Sequence, residues 1–133
     1  MFEVIHSTNA PQPIGPYSQA VRAGQTVYLS GQIGLDPEHG ELAPGGLEAQ
    51  ARRALANLAA VAEASGGSLQ QVVRLTIYMI DLAHFPTVNA IMEELWQPPY
   101  PARATLGVAS LPKGALFEVD AVLVLPTSRT GMG

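Results

Sequence analysis

The chain has 133 residues with a formal net charge of −4, a length that fits one domain with a substantial core. Six arginines and the single lysine, Lys113, are scattered along it, which disfavours binding to a phosphate backbone. The absence of cysteine removes disulfides, thiolate nucleophiles and Cys-based metal sites together.

Apolar residues make up 47% and charged residues 14%. So few charges on a small chain imply that part of its surface is buried against other subunits. No run approaches the roughly 18 apolar residues of a membrane span. Met1 to His6 lacks the basic and apolar regions of a signal peptide, so the expectation is a soluble cytoplasmic protein with no membrane partner.

Phe2 to His6 alternates weakly, as in a short strand. Ser7 to Pro16 reads as loop, broken by Pro11, Pro13 and Pro16. Ser18 to Ala23 and Thr26 to Ile33 read as a hairpin turning at Ala23-Gly24-Gln25. In the second strand Val27, Leu29, Gly31 and Ile33 fall on one face, and Thr26, Tyr28, Ser30 and Gln32 on the other. Gly34 to Gly46 reads as a surface loop.

Leu47 to Ser65 is the clearest helix. Its apolar residues Leu47, Ala51, Ala54, Leu55, Leu58, Val61 and Ala62 recur at helical spacing, while Arg52, Arg53 and Asn57 fall elsewhere on the wheel. Gly66-Gly67 ends it. Val72 to Ile80 reads as a central strand, with Val73, Leu75, Ile77 and Met79 forming a wholly apolar face. Asp81 is placed to cap a second helix from about Ala83 to Trp96, with Pro86 in its first turn. Two more strands follow, around Arg103 and from Leu116 to Leu125. Residues 1–126 are expected to form one domain and 127–133 a flexible tail.

The two helices can cover only one sheet face, yet two strands carry apolar residues on both. The same sheet in sister subunits, arranged with closed symmetry, is the economical cover for the second face.

The chemistry is expected in Pro101 to Asp120. Arg103 is either an edge charge paired with a nearby acid or a planar fork for a carboxylate. Glu118 and Asp120 share a strand face, which Val122 and Val124 continue. A partly buried, unpaired carboxylate there would have a raised pKa suited to acid/base work. Tyr17 could reach a ligand from its loop or pack its ring beneath it. Gly31 marks a close approach or a packing need, and Asn89 could be a simple helix-surface amide. His6, His39 and His84 are isolated and read as solvated surface groups.

Ile14 to Val21, Val27 to Ile33, Val88-Asn89, Pro101-Ala102-Arg103, Leu111-Pro112-Lys113 and Glu118 together resemble the Rid (YjgF) family. These are the reactive-intermediate deaminases, also catalogued as L-PSP endoribonucleases or translation-initiation inhibitors. The resemblance spans roughly residues 3 to 125. It implies an α+β, chorismate-mutase-like fold, a mixed six-stranded sheet with two helices on one face, assembled as a homotrimer with interfacial sites. It implies hydrolysis of 2-imino and 2-enamino acids to 2-oxo acids and ammonia, with no cofactor and no metal. The alternative within the family is a non-catalytic ligand-binding or regulatory protein.

On this resemblance the carboxylate-binding arginine falls on Arg103, the water-handling glutamate on Glu118 and the tyrosine on Tyr17. Substrate-binding positions fall on Ser30, Gly31, Asn89 and Thr105. The last is often cysteine; imine hydrolysis does not need a thiol nucleophile, so Thr105 is compatible with activity. The connection between Asn89 and Arg103 is shorter than in many members, and Gly107 replaces a common glutamate.

Overall fold

The computed structural model describes residues 1–127. The tail expected over 127–133 therefore lies, from residue 128 onward, outside the described residues. Six strands form one mixed sheet: β1 (Glu3–Ile5), β2 (Ala20–Ala23), β3 (Thr26–Ile33), β4 (Val72–Met79), β5 (Ala102–Gly107) and β6 (Phe117–Val124), in the order β1-β2-β3-β6-β4-β5. All neighbours are antiparallel except β4 and β5. A parallel pair needs a crossover, and α2 (Phe85–Leu95) supplies it. With α1 (Gly46–Ala64), α2 packs on one face of the sheet. There Leu55, Leu58, Val61, Val88 and Ile91 meet Val27, Leu29, Leu75, Ile77, Phe117, Val119 and Leu123 in a single buried cluster. The α+β architecture inferred from the sequence is the one observed. No helix among the described residues is long and apolar enough to cross a membrane.

Four local expectations are corrected. In β3 the alternation breaks after Leu29. Leu29 pairs with Ala121 but Gln32 pairs with Val119, so Ser30 and Gly31 together oppose Asp120. This β-bulge shifts the phase by one residue. Gln32 therefore joins the face of buried Val119, and Ile33 joins the face of Glu118. A second bulge, between Val72 and Arg74, turns Val72 into the core and leaves Val73 exposed, contrary to the wholly apolar face expected. Asn57 is not on a solvated helix face. It is fully buried, and its Nδ2 donates to the carbonyls of Ile33 (3.3 Å) and Leu35 (2.9 Å). Such a donor satisfies backbone acceptors left without strand partners. The loop after β3 is accordingly held in: Leu35 is buried and forms an isolated bridge with Leu42.

The second helix also begins later than expected. Asp81 caps a 3-10 turn, Leu82–His84, by accepting from Ala83 N at 2.9 Å, and α2 starts at Phe85 with Pro86 in its first turn. Proline fits there because those amides have no intrahelical acceptor.

The sheet face opposite the helices is bare. Tyr28, Val73, Leu106 and Val124 are 41–51% exposed. Strand β5 is an edge with no fully buried residue.

Candidate active site

Two clefts divide the residues singled out from the sequence. The first, about 410 Å³, lies between the loop preceding β2 and the β3–β6 junction; Tyr17, Ser30, Gly31 and Glu118 line it. The second, about 470 Å³, lies between the start of β5 and α2; Asn89 and Arg103 line it.

The first cleft is built by the bulge. A Cβ on Gly31 would collide with the Glu118 carboxylate, so glycine is what lets that side chain lie against β3. Ser30 Oγ donates to Ser18 O at 2.6 Å, and Ser30 N donates to Gln19 O at 2.9 Å. The Ser30 hydroxyl thus holds the loop that carries Tyr17. Gln19, which the sequence reading passed over, is buried and pins the next stretch of loop: it accepts from Ser7 N at 2.6 Å and donates to Pro11 O at 2.9 Å. Tyr17 is 50% exposed, so its ring is not packed beneath the loop.

Glu118 is half-buried and makes no hydrogen bond or ion pair among the described residues. Burial pushes its carboxyl above the ordinary 4.5, with the Asp120 charge as a second, smaller cause. Asp120 is itself held by Tyr78, whose hydroxyl donates to Oδ2 at 2.8 Å. That bond raises the Tyr78 pKa, because the phenol donates best while protonated.

At the second cleft Arg103 is exposed and forms no ion pair among the described residues, so the paired edge-charge reading has no support. Its guanidinium lies 5.2 Å from the centroid of the Phe85 ring, a cation–π contact that orients the fork. Phe85 was not singled out in the sequence. It lies one turn before Asn89, on the same face of α2, and that spacing was the available signal. Thr105 follows Arg103 on the same face of β5. Its Oγ1 is buried without a partner, and it does not line the cleft.

The two clefts open on opposite sides of the sheet. Arg103 pairs with Leu75 and Glu118 with Tyr78. Leu75 and Tyr78 are three residues apart on β4, so they and their partners face opposite ways. Arg103 therefore stands on the helix side and Glu118 on the bare side.

The sequence of residues 7–125 matches the family model described as Endoribonuclease L-PSP. The chain belongs to the endoribonuclease L-PSP family. Among its relatives, a Dermatophagoides farinae protein named 2-iminobutanoate/2-iminopropanoate deaminase is 47% identical over 122 residues, covering 92% of this chain and 95% of that one. The crystal structure of RidA from the Antarctic bacterium Psychrobacter sp. PAMC 21119 superposes with a TM-score of 0.90 at 44% identity, over 92% of this chain and 99% of that one. That of E. coli TdcF with bound serine superposes with a TM-score of 0.88 at 36% identity, over 93% and 99%. These L-PSP-family likenesses span both clefts.

The unpaired Glu118 has a consequence for stability that carries a definite sign. A folded-state pKa raised above the unfolded value means the ionised group opposes folding. The penalty is absent below about pH 4.5 and complete once pH exceeds the raised value. Glu118→Gln removes it. The variant is expected to melt above wild type at about pH 8, with the gap closing toward about pH 4, as followed by circular dichroism. A variant melting below wild type at about pH 8 would mean that the carboxylate has a stabilising partner.

Proposed function

We propose that this protein hydrolyses reactive 2-imino and 2-enamino acids to 2-oxo acids and ammonia, as a small-molecule deaminase with sites between the subunits of a homotrimer. The observation that carries the reading is the pair of unpartnered charges: a ring-oriented guanidinium at Arg103 and a half-buried carboxylate of raised pKa at Glu118. The deaminase name of relatives up to 47% identical supports the same activity. An endoribonuclease would need a basic track for phosphates, and this chain has seven dispersed cations against eleven acids.

In this reading Arg103 binds the substrate carboxylate through two parallel N–H donors and so orients C2. Asn89 contributes from the wall of the same cleft, and Thr105 stands behind it on the same side of the sheet. Glu118 accepts a proton from water as its oxygen bonds to C2, while the C=N pair moves onto nitrogen. Glu118 then returns the proton to that nitrogen, giving a carbinolamine. Glu118 then takes the carbinolamine hydroxyl proton and delivers it to the nitrogen as C=O forms and the C–N bond breaks, releasing ammonia and the 2-oxo acid. Tyr17 borders the water, and Gly31 leaves the carboxylate its place.

Arg103 and Glu118 face opposite ways in one chain, so one small substrate can meet both only if different copies supply them. The bare apolar sheet face gives such copies a surface to share. Light scattering at micromolar concentration is therefore expected to give about three times 14.0 kDa; a stable monomer would remove the shared site.

Turnover is read by generating iminobutanoate enzymatically in semicarbazide and following trapped imine. Wild type is expected to suppress trapping. Glu118→Gln is expected to lower turnover by about 10²–10⁴-fold while still binding a stable 2-oxo acid. Arg103→Lys keeps the charge but loses the fork, at a cost on the order of 2–3 kcal/mol. A wild-type protein that binds 2-oxo acids without accelerating imine loss would instead be the non-catalytic, ligand-binding member of the family.

A further inference from the structure

Beyond Arg103 the cleft between β5 and α2 continues as an apolar trough. Leu75, Met92 and Trp96 form its buried walls, and Tyr100 and Pro101 flank it. The Trp96 indole N–H donates to Leu69 O at 2.8 Å, so the ring is fixed in place. Tyr100 is 53% exposed. The whole cleft, with Arg103 and Asn89, is about 470 Å³, which leaves room for more than a methyl or ethyl group beside a bound carboxylate. Among the described residues that line it, Arg103 is the single cation. Glu93 lines it with a carboxylate that pairs with no cation among the described residues.

These features have a direct chemical reading, which rests on the deaminase function argued above. A 2-imino acid held at Arg103 by its carboxylate carries two other groups on C2, the nitrogen and the side chain. The nitrogen and the attacked carbon must be reached by the water. The side chain is then the group left to enter the trough. A single methyl would leave most of the cleft and the exposed Tyr100 ring in water, whereas a branched or aromatic group would fill the space and cover that ring. A second carboxylate would meet Glu93 and no second cation.

We propose that the Leu75–Met92–Trp96–Tyr100 trough is the side-chain pocket of this site, and that it selects 2-imino acids bearing large apolar side chains over small or dicarboxylic ones. Leu75, Met92 and Trp96 set its depth, Tyr100 closes its outer side, and Glu93 excludes acidic side chains.

Two readouts test this. Calorimetry compares the stable 2-oxo acids pyruvate, 4-methyl-2-oxopentanoate and 2-oxoglutarate on the intact protein. 4-Methyl-2-oxopentanoate is expected to bind at least about tenfold more tightly than pyruvate, with 2-oxoglutarate weakest. Tyr100→Ala, at an exposed position, should reduce the preference over pyruvate severalfold, and Glu93→Gln should selectively strengthen 2-oxoglutarate. Imine trapping then compares kcat/KM for imines made from leucine, phenylalanine and alanine by a flavin amino-acid oxidase, and the same order is expected. Equal binding of the three acids, or a preference unmoved by both variants, would overturn the pocket. Turnover without preference overturns the pocket alone. Preserved binding order without turnover supports the pocket and overturns the deaminase.

Discussion

Strand β4 separates Arg103 from Glu118, and its alternation sends them to opposite sides of the sheet. The rest of the arrangement follows from that separation. The parallel β4–β5 pair requires a crossover, and the crossover helix α2 is what brings Phe85 and Asn89 to the side of Arg103. The antiparallel β6 places Glu118 beside β3 and the proline-rich loop instead. A cation and an acid divided by a packed sheet cannot neutralise one another. Each stays available, and each is incomplete as a site within one chain.

The cleft around Glu118 is made by backbone geometry as much as by side chains. One extra residue in β3 opens space opposite Asp120, and the missing side chain at Gly31 admits the carboxylate. Nothing hydrogen-bonds that carboxylate among the described residues, while its neighbour Asp120 is satisfied by Tyr78. Two carboxylates on one face thus have different environments. One is held by the Tyr78 hydroxyl; the other is half-buried and unpartnered, and burial pushes its carboxyl up. Environment separates their roles although composition makes them alike.

Much of this was legible in the sequence where periodicity carries the signal. The Ala/Leu stripe of α1 and the apolar run of β4 specified their elements because burial repeats at 3.6 and 2 residues. The bulges were not legible: an inserted residue shifts the phase without changing composition, so Val73 read as part of an apolar face and Gln32 as sharing a face with Tyr28 and Ser30. Asn57 was misread for a related reason, since a polar residue on a helix can serve strand-end carbonyls that lie far away in sequence. Tyr17, Gly31, Asn89, Arg103 and Glu118 were identified as candidates, but their division between two faces depends on strand order, which the single sequence does not encode locally. The orientation of Arg103 by Phe85 likewise needed the crossover in place.

The central claim is that Arg103 and Glu118 act together across different copies of the chain. Subunit mixing tests it most directly. Arg103→Lys and Glu118→Gln proteins are each dissociated, mixed in equal amounts and reassembled, and imine hydrolysis is compared with that of each variant reassembled alone. With one residue from each of two subunits, random reassembly restores an intact pair at about one site in four, so about a quarter of wild-type activity should return. If the mixture shows no more activity than the two variants do separately, the pair acts within one chain or not at all, and the account is wrong.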